Sequence, residues 1–296
     1  MTHSGHIGFV GIGNMGAPMV RCLLRAGHRV SIHDASRAAT EPFKSEPSIT
    51  IAPSLSDLAT ECAVIITMLP DSAVVRRVVI GEPSLPGLGA GLRPGSLVID
   101  MSSSYAPDTV RLGAEIERLD ARLIDAPVSG GVGKAVTGTL AIMVGGRDED
   151  IDRAAPILAA MGTLHRTGAL GSGHAMKALN NYVSAAGLVA TCEALRIGAS
   201  FGLDPLAMVR VLNASTGRNN TTENKAERYL VPHQFNSGFS LALMAKDVGM
   251  ARALAADLGI DADELAFVAR YLEAASDALG PTADHTAVMA YVEGQR

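Results

Sequence analysis

The chain has 296 residues, a formal net charge of −5 and 48% hydrophobic residues. This length predicts two domains of roughly 100–200 residues each. The mild negative charge, without a run of Lys or Arg, argues against nucleic acid or an anionic membrane surface as a partner. No apolar stretch approaches the roughly 20 charge-free residues of a membrane helix. The first residues lack the pattern of a secretory signal, so we expect a cytoplasmic protein.

The cysteines and histidines carry no pattern of metal ligation. Cys22, Cys62 and Cys192 lie far apart in apolar surroundings, without the paired spacing of a disulfide framework or a zinc site. The eight histidines are not spaced as ligands either. We therefore expect buried thiols in a reducing compartment and no metal.

Short β-branched runs alternate with helical patterns in the first half of the chain. These runs are His6–Val10, Arg29–His33, Ala63–Met68, Ser96–Asp100, Leu123–Asp125 and Leu140–Val144. The alternation predicts an α/β fold of βαβ units around a mostly parallel sheet, here a Rossmann dinucleotide-binding domain over residues 1–172. The segment Gly81–Gly95, rich in Gly and Pro, is predicted to be an irregular loop.

Long Ala- and Leu-rich segments with helical spacing follow and predict an all-helical domain over residues 173–296. Its first helix is predicted over His174–Phe201, with Gly202 at its end. Asp204 and Pro205 have the residue types of an N-cap and a first helical position. Helices are also predicted over Pro205–Ala214, Thr221–Tyr229, Leu241–Leu258, Ala262–Leu279 and His285–Tyr291.

A G-x-G-x-x-G motif formed by Gly11, Gly13 and Gly16 follows the first strand and opens a helix. Such glycines permit a tight turn and let a pyrophosphate approach the amides at the helix N-terminus. Asp34, at the end of the second strand, can bind ribose hydroxyls and repel a 2′-phosphate, which favours NAD over NADP. Arg37 leaves NADP open, since its guanidinium can hold a 2′-phosphate or stack on adenine. Flavins and S-adenosylmethionine use similar units, so this motif alone does not establish hydride transfer.

The segment Ser129–Gly131 follows a predicted strand, where open α/β sheets bind ligands. Its hydroxyl and amides can receive a carboxylate, although by itself an ordinary serine–glycine turn is the simpler interpretation. A glycine-rich, hairpin-like segment is predicted to follow, up to Gly146.

Lys177 and Asn181 are four residues apart on the long helix and therefore share one face. The apolar or small residues around them, Ala175, Met176, Ala178, Leu179, Val183 and Ala186, predict a largely buried helix. Burial would lower the pKa of Lys177 and let it exchange a proton with a substrate hydroxyl, while Asn181 orients both. Taken alone, a structural lysine that reaches the surface explains this pattern better. Lys246, in another apolar helix, can lie over a nicotinamide or pair with Asp247.

Together these motifs resemble the β-hydroxyacid dehydrogenase family, which includes 3-hydroxyisobutyrate dehydrogenase. The match runs from His6 to Tyr291, with GFVGIGNMGAPM, DAPVSGG, GSGHAMKALNN and the KD pair Lys246–Asp247 in order. The resemblance implies a Rossmann domain joined by a long helix to an all-helical domain. It also implies NAD(P)-dependent interconversion of a small 3-hydroxy acid, which carries a carboxylate, and its aldehyde or keto acid. Family members are commonly homodimers or homotetramers.

The resemblance also implies roles for single residues. Lys177 would be the general acid/base and Asn181 its substrate-orienting neighbour, while Ser129, Gly130 and Gly131 would bind the carboxylate. The cofactor would contact Gly11, Ile12, Gly13, Asn14, Met15, Gly16, Asp34, Leu69, Pro70, Ser103 and Lys246. The loop Ser102–Pro107 departs from the family pattern STxxP by one additional residue. Arg218 can recognise a second anionic group of the substrate or form a surface salt bridge.

Two other functions share this architecture. An imine reductase reduces C=N in substrates that need no carboxylate clamp, and the presence of both Lys177 and the Ser129–Gly131 segment argues against it. A non-catalytic, cofactor-binding scaffold is expected to have the lysine replaced and a basic tail or extra domain added.

Overall fold

The computed structural model of the protein describes residues 6–294. The chain forms two compact units, Met1–Lys177 and Ala178–Arg296. The division between them falls inside one helix, Ser172–Phe201, and the predicted boundary after residue 172 lies at the first turn of that helix. Among the described residues, none of the helices combines the length and apolarity that crossing a membrane requires.

The first unit is built on a mostly parallel sheet. Its strands are β1 Ile7–Val10, β2 Val30–His33, β3 Ile49–Ile51, β4 Val64–Thr67, β5 Gly81–Glu82, β6 Leu85–Pro86, β7 Leu97–Asp100, β8 Arg122–Asp125, β9 Val128–Ser129, β10 Leu140–Gly145 and β11 Gly162–Gly168. The main sheet has the order β11-β10-β8-β7-β4-β1-β2-β3, while β9 pairs with β10, and β5 and β6 form a separate hairpin. Because β1 pairs in parallel with both β2 and β4, the strand order reverses at β1, where such sheets bind ligands.

Helices cover both faces of this sheet. They are α1 Gly16–Arg25, α2 Arg37–Thr40, α3 Leu55–Glu61, α4 Ser72–Ile80, α5 Ala106–Glu117, α6 Gly131–Thr137 and α7 Asp148–Leu158, with 3₁₀ turns at Glu41–Phe43 and Leu88–Ala90. Successive strand side chains point to opposite faces. Phe9 and Ile66 accordingly lie in one apolar cluster, and their neighbours Val10 and Ile65 in another. The all-apolar strands are therefore explained by burial on both faces.

Helices make up the rest of the chain. They are α8 Ser172–Phe201, α9 Pro205–Ala214, α10 Leu241–Asp257, α11 Asp263–Leu279 and α12 Val288–Gly294, with a π-helix at Thr222–Leu230 and a 3₁₀ turn at His285–Ala287. The second unit has its own core, to which α8 contributes Leu188 and Leu195, and α11 contributes Leu272. Asp204 caps α9 as predicted, because its carboxylate accepts a hydrogen bond from the Ala207 amide at 2.8 Å.

The six predicted strands are confirmed within one residue at their ends, and the three cysteines are buried. The predicted helical segments are confirmed within three residues at their ends, although not all of them are α-helices. The prediction of a hairpin-like segment after Gly131 is wrong in part. Residues Gly131–Thr137 form α6, although β9 and β10 do pair in antiparallel fashion. Packing overrides the low helix propensity of its glycines: Ala135 is fully buried, and the Cys22 thiol on α1 donates to its carbonyl oxygen at 3.1 Å.

Three further features differ from the sequence-based expectations. The strands β3 and β11 were not predicted, since β3 has only three residues and β11 is mostly polar, with four of its seven residues exposed. The Gly81–Gly95 loop contains the β5–β6 hairpin and a 3₁₀ turn. The segment 222–230 is a π-helix rather than an α-helix, a form that helical periodicity does not distinguish.

Candidate active site

The glycine motif forms the turn between β1 and α1. Gly11 has φ +96°, and a Cβ there would lie 2.3 Å from the carbonyl oxygen of Met68. A Cβ on Gly16 would lie 1.9 Å from the carbonyl oxygen of Gly11, so both positions need glycine for packing. Gly13 and Asn14 are instead exposed, and a Cβ on Gly13 meets no atom within 4 Å. The motif thus presents open backbone at the N-terminus of α1, and this fits the pyrophosphate of a dinucleotide.

Asp34 follows β2 and has a structural role that the sequence did not predict. One carboxylate oxygen accepts a hydrogen bond from the Ile12 amide at 2.7 Å, and the other accepts one from the Ser36 amide at 2.7 Å. Asp34 therefore holds the glycine turn against the end of β2. Its side chain stays partly exposed, and each oxygen retains a lone pair for a ribose hydroxyl. Arg37, the first residue of α2, is exposed nearby in sequence.

The loops after β4 and β7 contain the predicted contacts Leu69, Pro70 and Ser103. The Leu69 amide donates to the hydroxyl of Ser102 at 2.9 Å, which ties these two loops together. Since β4 pairs with both β1 and β7, the loops lie beside the glycine turn at the carboxyl edge of the sheet. The first unit therefore brings the predicted cofactor residues from Gly11 to Ser103 to one edge, and this arrangement fits NAD(P).

Ser129 ends β9, whose register places it opposite Ala141 of β10. The next two residues, Gly130 and Gly131, have φ values of +135° and +66° and are exposed. A Cβ on Gly130 would lie 2.6 Å from the side chain of Lys134, so glycine is required there. A partly exposed hydroxyl followed by two exposed amides is a suitable receptor for a carboxylate.

The beginning of α8 is anchored on the carboxylate of Asp125, the last residue of β8. Its two oxygens accept hydrogen bonds from the amides of Gly171 and His174, each at 2.7 Å. A Cβ on Gly173 would lie 2.4 Å from the Met143 carbonyl oxygen, so this glycine lets the helix begin against β10. Burial raises the pKa of Asp125, while His174 and the two amides favour its ionised form.

Lys177 lies on the next turn of α8, and it is 8% exposed, as its predicted burial requires. The prediction of a largely buried helix is nevertheless wrong, because Met176, Leu179 and Val183 are exposed. The helix buries one face and leaves the other open, and its apolar residues occupy both.

In the second unit, Asn181 is joined to the KD pair of α10. Its side-chain NH₂ donates to a carboxylate oxygen of Asp247 at 2.6 Å, and its side-chain oxygen accepts from Asn180 at 3.1 Å. The ammonium of Lys246 lies 3.7 Å from the other oxygen of Asp247. Asp247 therefore sets the orientation of the Asn181 amide, a role that sequence reasoning missed. An aspartate inside an apolar helix was the available signal, because buried carboxylates require partners.

Arg218 forms a surface ion pair, which is one of the two roles that the sequence left open for it. Its Nε lies 3.6 Å from Glu223, and both side chains are exposed. Within the part of the chain that the structure describes, no group of three or more His, Cys, Asp or Glu side chains is arranged to hold a metal ion.

Comparison with known proteins decides the family. Residues 6–172 match the family model described as the NAD binding domain of 6-phosphogluconate dehydrogenase. Residues 171–292 match a second family model, described as NAD-binding of NADP-dependent 3-hydroxyisobutyrate dehydrogenase. The mitochondrial 3-hydroxyisobutyrate dehydrogenase of Rattus norvegicus is 37% identical over 259 residues, which are 85% of this chain and 76% of that protein. The chain belongs to the β-hydroxyacid dehydrogenase family. It is thus an NAD(P)-dependent oxidoreductase of hydroxy acids.

Solved structures agree with this family. A 3-hydroxyisobutyrate dehydrogenase of Mycobacterium tuberculosis, solved with L-serine, is 33% identical to this dehydrogenase. It aligns with a TM-score of 0.88 over 98% of this chain and 99% of its own. A variant imine reductase of Myxococcus stipitatus, solved with NAD⁺, aligns with a TM-score of 0.65 over 98% and 99% of the two chains. At 15% identity, this second likeness shows only a shared fold.

Proposed function

We propose that this dehydrogenase oxidises a small 3-hydroxy acid of the 3-hydroxyisobutyrate class to its semialdehyde, and catalyses the reverse reaction, with NAD as the preferred cofactor. The observation that carries the proposal is the burial of Lys177 on α8, one helical turn before the buried Asn181. Lysine is seldom buried, and buried ionisable side chains are concentrated at functional sites. The names of the rat and mycobacterial relatives support the substrate class.

In this proposal, Lys177 accepts the proton of the substrate hydroxyl during oxidation and returns it during reduction. The bound nicotinamide supplies the acceptor for the hydride that leaves the carbinol carbon. Asn181 donates a hydrogen bond to the reacting oxygen, in an orientation set by Asp247. Ser129 and the two following amides hold the substrate carboxylate. Such positioning contributes several kcal/mol, or about 7–11 kcal/mol in the best-oriented cases.

The preference for NAD is supported by Asp34. Its carboxylate is held at the end of β2 by two amides, where its negative charge opposes a 2′-phosphate. Arg37 tempers this preference, because it is exposed and lies three residues after Asp34, at the start of α2. We expect Arg37→Ala to weaken NADP more than NAD, and Asp34→Asn to reduce the discrimination between them.

A panel of initial rates tests the proposed function. Wild-type enzyme is assayed with 3-hydroxyisobutyrate, glycerate and L-serine, each with NAD and with NADP, and with a cyclic imine and NADPH. The proposal predicts turnover of at least one hydroxy acid, with kcat/KM at least about tenfold higher for NAD, equivalent to about 1.4 kcal/mol. Reduction of the imine alone would contradict it, and equal use of NADP would contradict the cofactor preference.

We also propose a homodimer or homotetramer. The support is an exposed apolar stripe on the second-unit part of α8, formed by Val183, Ile197 and Phe201, the last of which is 84% exposed. Exposed apolar stripes of this kind are typical of interaction surfaces. Light scattering after size exclusion should give an oligomer for the wild type and a smaller species for Ile197→Glu, and a monomeric wild type would contradict the proposal.

A further inference from the structure

A buried polar cluster lies at the first turn of α8, one helical turn before Lys177, and the proposed chemistry does not use it. Its centre is His174, which is 1% exposed. The His174 Nε2 lies 3.1 Å from the carbonyl oxygen of Ser102, and its Nδ1 lies 2.8 Å from the hydroxyl of Thr109. The same two nitrogens lie 3.7 Å from carboxylate oxygens of Asp100 and Asp125, respectively. Since a carbonyl oxygen can only accept, Nε2 carries the proton and donates to Ser102.

On one side, this cluster fixes the loops that hold the predicted cofactor contacts. The Asp100 carboxylate accepts hydrogen bonds from the Thr67 hydroxyl at 2.9 Å, the Ser102 amide at 3.1 Å and the Ser104 hydroxyl at 2.8 Å. Ser102 in turn accepts from the Leu69 amide. The loops after β4 and β7 are therefore joined through groups that His174 contacts.

On the other side, the cluster fixes the first turn of α8. Asp125 accepts from the amides of Gly171 and His174, so the backbone of His174 is anchored as well as its ring. A negative charge at this end also favours the helix dipole. Lys177 is one turn further along the same helix, and a shift of that turn would move its ammonium by a similar amount.

We propose that His174 is a positioning residue, which sets the distance between the loop at Ser102 and the helix turn that carries Lys177. This inference rests on the proposed role of Lys177 as acid/base. An apolar side chain at position 174 would leave the Ser102 carbonyl and the Thr109 hydroxyl without this partner in a buried site, and the directional link between loop and helix would be lost. A displacement of 1 Å at a reacting group can cost about 10²-fold in rate.

Three substitutions of His174 separate positioning from simple stability. His174→Ala removes both ring contacts. His174→Gln keeps a hydrogen-bond donor at the position of Nε2, whereas His174→Asn keeps a polar group only at the position of Nδ1. With 3-hydroxyisobutyrate and NAD, we expect kcat to fall about 10- to 100-fold in His174→Ala, and to recover substantially in His174→Gln but not in His174→Asn. Because Asp100 still holds the loop at Ser102 in these variants, the dissociation constant for NADH, measured by its fluorescence, should change by less than about threefold.

The primary kinetic isotope effect on kcat/KM, with substrate deuterated at the carbinol carbon, is the readout that a structural role would not move. Mispositioning slows the chemical step, so we expect the isotope effect to rise in His174→Ala. Leu158→Ala, which truncates a fully buried side chain on α7, is the matched control for lost stability. It should lower the melting temperature and leave kcat per folded molecule and the isotope effect unchanged. A His174→Ala enzyme with wild-type kcat or an unchanged isotope effect would overturn the inference, as would equal activity of the Gln and Asn variants.

Amide hydrogen exchange gives a test that needs no substrate. We expect the amides of residues 174–177 to exchange faster in His174→Ala or His174→Asn than in the wild type and His174→Gln. Unchanged exchange in both impaired variants would overturn the inference. If the wild type oxidises no hydroxy acid, the proposed function fails, while the exchange measurement still decides whether His174 anchors this turn. If His174→Ala does not fold, the comparison of Gln with Asn carries the test.

Discussion

Asp284 anchors the segment that leads into α10, and its replacement by asparagine should destabilise the second unit. Its carboxylate accepts hydrogen bonds from the amides of Gly238 at 2.8 Å, Phe239 at 3.2 Å and Thr286 at 2.9 Å, and from the hydroxyl of Ser237 at 2.8 Å. In Asp284→Asn one oxygen becomes an NH₂ group. If the remaining oxygen keeps its hydrogen bond from the Thr286 amide, the NH₂ group faces the amides of Gly238 and Phe239. These two amides then lose their acceptor.

The Gly238 amide is exposed and can bond to water instead, whereas the Phe239 amide is partly buried. Since a buried amide without an acceptor costs about 1–3 kcal/mol, we predict a loss of about 1–3 kcal/mol in the free energy of unfolding. Urea unfolding followed by tyrosine fluorescence measures it. Four of the five tyrosines, all except Tyr105, lie in the second unit, so this signal reports mainly on that unit. A loss below about 0.5 kcal/mol, the range of ordinary surface substitutions, would refute the reasoning.

The stability difference between the wild type and Asp284→Asn should also depend on pH, with a definite sign. Burial opposes ionisation of Asp284, but hydrogen bonds from His285, Thr286 and Ser237 outweigh it and lower its pKa far below the ordinary 3.8. A lowered pKa in the folded state stabilises the protein above pH 3.8, and this contribution is lost as the pH falls below that value. The difference in unfolding free energy between wild type and Asp284→Asn should therefore be constant from pH 7 to pH 5 and shrink towards pH 3.

Three glycine substitutions separate packing from ligand approach. Gly16→Ala places a Cβ 1.9 Å from the Gly11 carbonyl oxygen, and should cost about 1–3 kcal/mol of stability as well as NADH affinity. In Gly13→Ala the new Cβ meets no neighbouring atom, so stability should change by less than about 0.5 kcal/mol. NADH affinity should still fall, because this glycine lets the pyrophosphate approach the backbone. Equal melting temperatures for Gly16→Ala and Gly13→Ala would contradict this distinction. In Gly173→Ala the new Cβ would lie 2.4 Å from the Met143 carbonyl oxygen, so both the melting temperature and kcat should fall. An unchanged kcat would contradict the role of Gly173 in placing the start of α8.

The Rossmann unit and most of the helices were predictable because their signals are local. A strand such as β4, apolar on both faces, and a glycine motif at a strand–helix turn each occupy few consecutive residues. The edge strand β11 was not predicted, since its pairing with β10 comes from sheet topology rather than from its own apolar pattern. The helix α6 was missed for a similar reason, because its packing against α1 decides its conformation.

The candidate site shows the same limit. Sequence motifs identified the polar side chains of the candidate site, which belong to Lys177, Asn181 and Ser129. Their roles stay predictions. Their supporting contacts were not identified, because these join residues far apart in the chain: Asp247 to Asn181, and Asp125 to the amides that open α8. His174 gave no spacing signal, since its partners lie at the ends of β7 and β8, in the loop after β7 and on α5.

The measurement that tests the central claim most directly is the steady-state rate of Lys177→Ala with 3-hydroxyisobutyrate and NAD, together with its NADH dissociation constant. Loss of a general acid/base predicts a fall in kcat of about 10²- to 10⁴-fold, with NADH binding unchanged. Turnover within about tenfold of the wild type, at unchanged NADH binding, would contradict the assignment of Lys177 as the proton acceptor.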